Sequence, residues 1–315
     1  MDFLIGLLNA MPGAVAQGLI WGIMAIGVYI TYKILDVADL TVDGSLCTGG
    51  AVCVILTING TPVWVAFLMA FIAGLLAGML TGIFHTKFGI PAILAGILTQ
   101  LALYSINLHI MGWGTDNGSK SNLPVSVDKY KLLVSARYVR EISLRNPLLL
   151  LAIFLVVIIA ILYWFFGTEL GASLRATGAN GNMARAQGIN TNTTKVLGLM
   201  LSNGLVALSG ALLAEYQGFS DVNMGRGAIV IGLAAVIIGE VVFGKIFRNF
   251  SLKLLSCAIG AVIYYIVIQF VLRLGLSTDD LKLLSALVVA MFLAVPYWKN
   301  KYVGGKRKKG GNENA

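Results

Sequence analysis

Charge is what this sequence has least of. Of its 315 residues only 12% are Asp, Glu, Lys or Arg, against roughly 25% in an ordinary soluble domain. Apolar runs recur from near the N-terminus almost to the end, and mean hydropathy is +0.86. A soluble domain is excluded. Histidine is also scarce: His85 and His109 stand far apart, without a carboxylate or Cys at ligand spacing, which argues against a metal site. Cys47, Cys53 and Cys257 form neither a metal motif nor a disulfide framework, and they read as inert core thiols. There is no Gly-x-Ser-x-Gly elbow and no evident nucleophile–base pair, so an intramembrane enzyme is a remote reading. Gly239–Ile246 nearly spells a phosphate loop. Ile246 stands where Ser or Thr must follow the Lys, and no strand precedes it. The chain is not expected to hydrolyse ATP by itself. No basic segment or cleavage site marks the first apolar run, so Met1–Ala10 reads as the lead-in to a span rather than a signal peptide.

What is present is hydrophobic length. A bilayer core needs about 20 apolar residues per helix. Nine candidate spans result: Ala14–Leu35, Ser45–Ile58, Pro62–Phe84, Ile90–Met111, Pro147–Phe166, Val196–Gln217, Ala228–Phe243, Leu252–Leu272 and Leu281–Tyr297. They lack the period-2 alternation of a membrane barrel. The expected fold is all-α, a polytopic bundle comprising residues 1–298, with a basic tail at 299–315. The second and seventh spans are short and Gly-interrupted, as broken or re-entrant helices are. Glycines four apart (Gly18 and Gly22; Gly74, Gly78 and Gly82) share helix faces and read as packing positions.

Net charge is +9, and its densest cluster is Lys299, Lys301, Lys306, Arg307, Lys308 and Lys309. Directly after a hydrophobic segment, that cluster reads as a cytoplasmic anchor under the positive-inside rule and not as a nucleic-acid site. Attraction to anionic membrane lipid would be a by-product. With a cytoplasmic C-terminus, nine spans place the N-terminus outside. The loop 112–146 is then external, and the polar loop 168–194 is cytoplasmic.

The first span runs into Asp36-Val37-Ala38-Asp39-Leu40-Thr41-Val42-Asp43-Gly44. The sixth runs into Ser220-Asp221-Val222-Asn223-Met224-Gly225-Arg226-Gly227. Each is a long helix, a polar Asp-Val turn and a short Gly-rich span, in opposite orientations. That is the pattern of a candidate inverted repeat, whose broken segments meet near a midplane site in transporters. Chance similarity competes with it. Asp36, Asp39 and Asp43 could bind a cation, cap helix ends, or form a gate.

Polar residues at membrane depth face a cavity or a partner helix. Gln100, Tyr104 and Asn107, at spacings of four and three, share one face of the fourth span. With Asn203 they are candidates to line a pathway, interhelical hydrogen bonds being the alternative. Glu215, Glu240 and Gln269 are further polar groups at depth. In the outer loop, Lys129, Lys131, Arg137 and Arg140 could dock an acidic-rimmed partner by charge complementarity, or simply be solvated.

The most specific signal is Leu174–Asn190, with Leu174, Arg175, Gly178, Asn180, Met183, Ala184, Arg185, Gly188, Ile189 and Asn190 at its marked positions. Its short amphipathic pieces suit a helix lying across the membrane face and docking in a partner's groove. A plain solvated linker is the alternative. The stretch resembles the cytoplasmic coupling loop of ABC importer permeases, in the branch serving branched-chain amino acids, ribose-type sugars and nucleosides. The resemblance extends from about Ala14 to Tyr297. Asp36–Gly44 and Ala102–Gly112 further resemble a subgroup associated with tryptophan or tyrosine uptake. That subgroup carries Arg where this chain has His109, which weakens any role for the position.

The resemblance implies a permease subunit in a bacterial plasma (inner) membrane. Its partners would be an ABC ATPase subunit, which binds the ATP, an extracytoplasmic solute-binding protein, and a second permease, either another copy, giving a homodimer, or a homologue. The chain itself would carry no cofactor. An aromatic amino acid is the favoured cargo, followed by a branched-chain amino acid or a nucleoside. The competing class is a self-contained, ion-coupled secondary transporter using carboxylates such as Asp36, Asp39, Glu215 and Glu240.

Overall fold

The computed structural model describes residues 2–114, 118–130, 132–139, 146–244, 246–273, 283, 286–292 and 294. Six helices are long and apolar enough to cross a membrane, and two shorter apolar ones join them. They are α1 (Asp2–Tyr29, prolonged by a π-helical turn, Ile30–Ile34), α2 (Val42–Ile58), α3 (Val63–Thr86), α4 (Ala92–Met111), α5 (Pro147–Gly167), α8 (Thr191–Gln217), α9 (Ala228–Phe243) and α10 (Phe250–Arg273). Two short helices, α6 (Glu169–Ala179) and α7 (Gly181–Ala186), lie between α5 and α8. Strands β1 (Asn122–Pro124) and β2 (Phe219–Asp221) pair antiparallel. The chain is a polytopic helical bundle. Most of the ninth expected span, Leu281–Tyr297, and the whole basic tail lie outside the described residues.

Polar caps start two of the spans, and one of them opens its helix earlier than the apolar run alone indicates. Asn190 Oδ1 accepts from the N–H groups of Asn192 and Thr193 and opens α8 five residues before Val196. Asn146 Oδ1 accepts from Leu148 N–H, with Pro147 in the first turn of α5. An N-cap satisfies donors that the helix itself leaves unpaired, and Pro at the first position costs no hydrogen bond.

Burial sorts the spans. In α1 and α8, 72% of the most apolar window is buried within the protein, against 22% in α5. The first two are central and the third lies on the rim. The rim faces are apolar: Leu68, Ile72 and Leu76 on α3, and Ile153, Val157, Ile161 and Trp164 on α5, are exposed at helical spacing. Only lipid or another membrane chain makes such surfaces stable.

Side-chain pairs fix the directions. Ser202 and Ser209 of α8 donate to the carbonyls of Gly27 and Ile20, so α1 and α8 run antiparallel. Ser45 of α2 donates to Asn203, and Ala51 and Val54 pack in one cluster with Ala214, so α2 runs parallel to α8. At the α2–α8 crossing a Cβ on Gly49 would overlap the Ala207 carbonyl, and one on Gly210 that of Leu46. Glycine brings the two backbones into contact there.

Candidate functional site

The two interrupted segments meet. After the π-turn the chain bends at Asp36, which adopts φ 54°, and re-enters the bundle to start α2. After β2 the chain turns back through 222–227 to start α9. Asp43, in the first turn of α2, accepts from Gly227 N–H at 2.9 Å and Ile229 N–H at 3.0 Å. A residue of one broken helix thus caps the other, and the carboxylate offsets the positive end of α9. Cys47 Sγ donates to the Val222 carbonyl and accepts from Gly225 N–H, fixing the same turn.

Behind this junction lies a buried polar chain. Asn203 Nδ2 donates to Asp39 Oδ2 at 2.6 Å, and Ser45 Oγ donates to Asn203 Oδ1 at 2.7 Å. Asp39 Oδ1 accepts from Thr41 N–H at 2.9 Å. Thr41, Thr81 and Thr99 continue the chain at 2.7 and 2.9 Å. Helices α2, α8, α3 and α4 are thereby joined through satisfied polar groups, which rigidify a bundle in apolar surroundings.

In front of the junction is a cavity of about 260 Å³, lined by Asp43, Gly44, Cys47, Gln100, Leu101, Tyr104, Asn107, Val222 and Arg226. Three of the four residues expected on a pathway, Gln100, Tyr104 and Asn107, line it. Asn203 does not. It is fully buried in the polar chain behind the wall. Helical spacing placed the first three on one face, but Asn203 sits on α8, whose surroundings are protein nearly all round. The turn before α9 also carries Arg226 to the cavity wall. No motif marks it. The only hint was its position in the second Asp-Val turn.

The loop 168–190 forms one end of the bundle. Thr168 and Asn180 cap α6 and α7, and Gly188, at φ 84°, follows α7. Leu174 and Ala184 are buried, whereas Met183 is 63% exposed. Arg185 Nε donates to Thr191 Oγ1 at 2.7 Å, and Arg175 Nη2 to the Phe166 carbonyl at 2.9 Å. A Cβ on Gly178 would collide with the Ile34 carbonyl at the end of the π-turn. The loop therefore rests directly on the interrupted α1. Asn190, as the α8 cap, and half-exposed Ile189 complete the segment.

At the opposite end, β1 binds β2, and Glu215 Oε2 near the end of α8 accepts from Leu133 N–H at 3.1 Å and Val134 N–H at 3.3 Å. The 112–146 loop is thus tied to α8 and to the turn that leads to α9. Lys129 is exposed and lies 5.5 Å from the Tyr130 ring centroid; Arg137 pairs with Asp128. Lys131 and Arg140 lie outside the described residues. Among the described residues no three His, Cys, Asp or Glu side chains could hold a metal ion together.

Comparison with known proteins matches residues 11–296 to the branched-chain amino acid transport system permease component family. The chain belongs to that family. The permease is 43% identical to a tyrosine transport system permease protein of Clostridioides difficile (strain R20291), over 91% of each chain. It is 35% identical to an uncharacterized protein of Rickettsia prowazekii (strain Madrid E), over 91% of this chain and 98% of that one. The ribose import permease of Escherichia coli (strain K12) is more distant, at 24% identity over 91% of this chain and 85% of its own. This permease is a multi-pass membrane protein and a transport subunit, not an enzyme.

Proposed function

We propose that this permease is the membrane subunit of a binding-protein-dependent ABC importer for an amino acid, with an aromatic, tyrosine-like side chain favoured. The observation that carries the reading is the polar loop with the exposed apolar knob on its second short helix, α7. Met183 projects beside exposed Asn182, Arg185 and Gln187, while Gly178 seats the loop against the end of the π-turn. An exposed flexible apolar side chain on a rigidly seated loop is what a partner's groove would take. The similarity to a tyrosine transport permease supports the cargo.

In this reading two permease copies form a homodimer in a bacterial plasma membrane, with nine spans each and the C-terminus cytoplasmic. Two ATPase subunits bind ATP and engage Leu174–Asn190. A loaded solute-binding protein docks at the other end, on the loop carrying Lys129, Lys131, Arg137 and Arg140. Closure of the ATPase pair pushes the loop against the interrupted α1. From there the motion passes along α1 and α8 to the polar chain at Asp39 and Asn203 and to the junction at Asp43. The chain supplies coupling and pathway and no chemistry. Its test is uptake of labelled L-tyrosine into proteoliposomes. The importer reading expects uptake only with ATP, the ATPase and the binding protein together. Gradient-driven uptake by the permease alone would overturn it.

A further inference from the structure

The cavity in front of the Asp43 junction holds charges of both signs and one unanswered acceptor. Arg226 is exposed on its wall, and its guanidinium makes no ion pair among the described residues. Asp43 lies on the wall as well. Its two oxygens each accept one backbone N–H, which leaves lone pairs on both. Asn107 is only 1% exposed, and its Oδ1 has no hydrogen-bond partner among the described residues. The orientation of this amide follows from its other end: Nδ2 donates to the Gly44 carbonyl at 3.4 Å, which an oxygen in that place could not do. A buried acceptor without a donor costs about 1–3 kcal/mol. Such a group beside a cavity of unlike charges points to a ligand that brings a donor.

We propose that this cavity binds the transported α-amino acid by its two charged ends, with the Arg226 guanidinium taking the α-carboxylate and Asn107 Oδ1, backed by the Asp43 carboxylate, taking the α-ammonium. This rests on the importer reading above and names the groups in it that recognise the cargo. Guanidinium matches carboxylate through two parallel N–H bonds. An ammonium supplies the donor that Asn107 lacks. Tyr104 and Leu101, on the same wall, meet the side chain. The volume of about 260 Å³ falls just below the roughly 300–1,000 Å³ of typical ligand pockets, as a small zwitterion requires. Arg226 also borders a larger, more apolar cavity with Gln17, Val230, Tyr264 and Ile268. Asn107 lines only the first, so the first is the site.

The test uses the complete transporter in proteoliposomes, with saturating loaded binding protein and labelled L-tyrosine, L-tryptophan, L-leucine, ribose and uridine as probes. Arg226→Gln is expected to lower maximal amino-acid uptake about ten-fold, the scale of one lost charge-assisted hydrogen bond. Arg226→Lys should recover much of it, and Gln17→Leu should transport as the unaltered protein does. Asn107→Leu should lower uptake comparably. The concentration of binding protein giving half-maximal uptake should stay unchanged in all of these, separating the cavity from docking. Unaltered uptake in Arg226→Gln would overturn the proposal. So would equal loss in the Gln and Lys variants, or transport confined to ribose or uridine. ATP dependence of the unaltered protein reads the importer assignment separately, so the two failures are distinguishable.

Discussion

At the scale of single residues, the permease separates polar side chains that hold the bundle from those that face open space. Asn203 belongs to the first kind. It donates to Asp39 and accepts from Ser45, so it is a strut between the first broken turn, α2 and α8. Replacing it with Leu leaves the buried Asp39 carboxylate without its side-chain donor. A loss of about 1–3 kcal/mol is expected, measured as a lower thermal midpoint of the purified protein in detergent. An unchanged midpoint would mean that Thr41 N–H alone suffices for Asp39. The same distinction shows what could be read from the sequence at this scale. Gln100, Tyr104 and Asn107 were legible as one face because helical spacing is local. The places of Asn203 and Arg226 were not, since the neighbours that decide them lie far away in the chain.

At the scale of elements, the fold depends on close backbone approach and on ties between loops and helices. The α2–α8 crossing has room for no side chain at Gly49, where a Cβ would overlap the Ala207 carbonyl. Gly49→Val is expected to cost about 1–3 kcal/mol through overpacking. The cost should appear as reduced membrane yield and a lower thermal midpoint. The outer loop is anchored differently. Glu215 accepts from Leu133 and Val134, and this tie joins the packing of Val134 and Val139 in the core to hold residues 132–139 against α8. Glu215→Ala should release the segment, and trypsin should then cut after Lys129 or Arg137 several times faster than in the unaltered protein. An equal cutting rate would show that the β1–β2 pairing holds the loop without help. Glu215 was legible as a polar group at depth. Its role was not, because its partners are backbone groups of a loop some eighty residues away.

At the scale of the whole molecule, the two ends of the bundle differ and are joined by its most buried helices. One end presents Met183 on a seated loop, and the other presents the charged loop tied to Glu215. Helices α1 and α8 run between them. Met183→Asp should lower ATP-driven uptake at least ten-fold, the cost on the scale of one buried apolar side chain at an interface hot spot. Docking of the loaded binding protein should be unaffected, as measured by half-saturation. Reversing Lys129, Lys131, Arg137 and Arg140 to Glu should do the opposite, raising the concentration of binding protein needed while sparing maximal uptake. Salt should weaken the docking of the unaltered protein in the same direction. Were the two sets of substitutions to give the same kinetic pattern, the assignment of separate partners to the two ends would fail.

Hydrophobic length and the scarcity of charge are properties of composition, so the membrane bundle and most span positions were readable from the chain in order, as was the polar segment between the fifth and sixth spans. Helix periodicity is local, and so was the face carrying Gln100, Tyr104 and Asn107. The likeness of the two Asp-Val turns was readable as well. Their meeting was not. That Asp43 of one broken helix caps the start of the other, that Arg226 reaches the cavity, and that Asn203 holds Asp39 all depend on contacts between residues some 160 to 190 positions apart. Such contacts form only when α1, α2, α8 and α9 have packed, because an apolar bundle gives a buried polar group no water to pair with and forces it to find its partner in another helix.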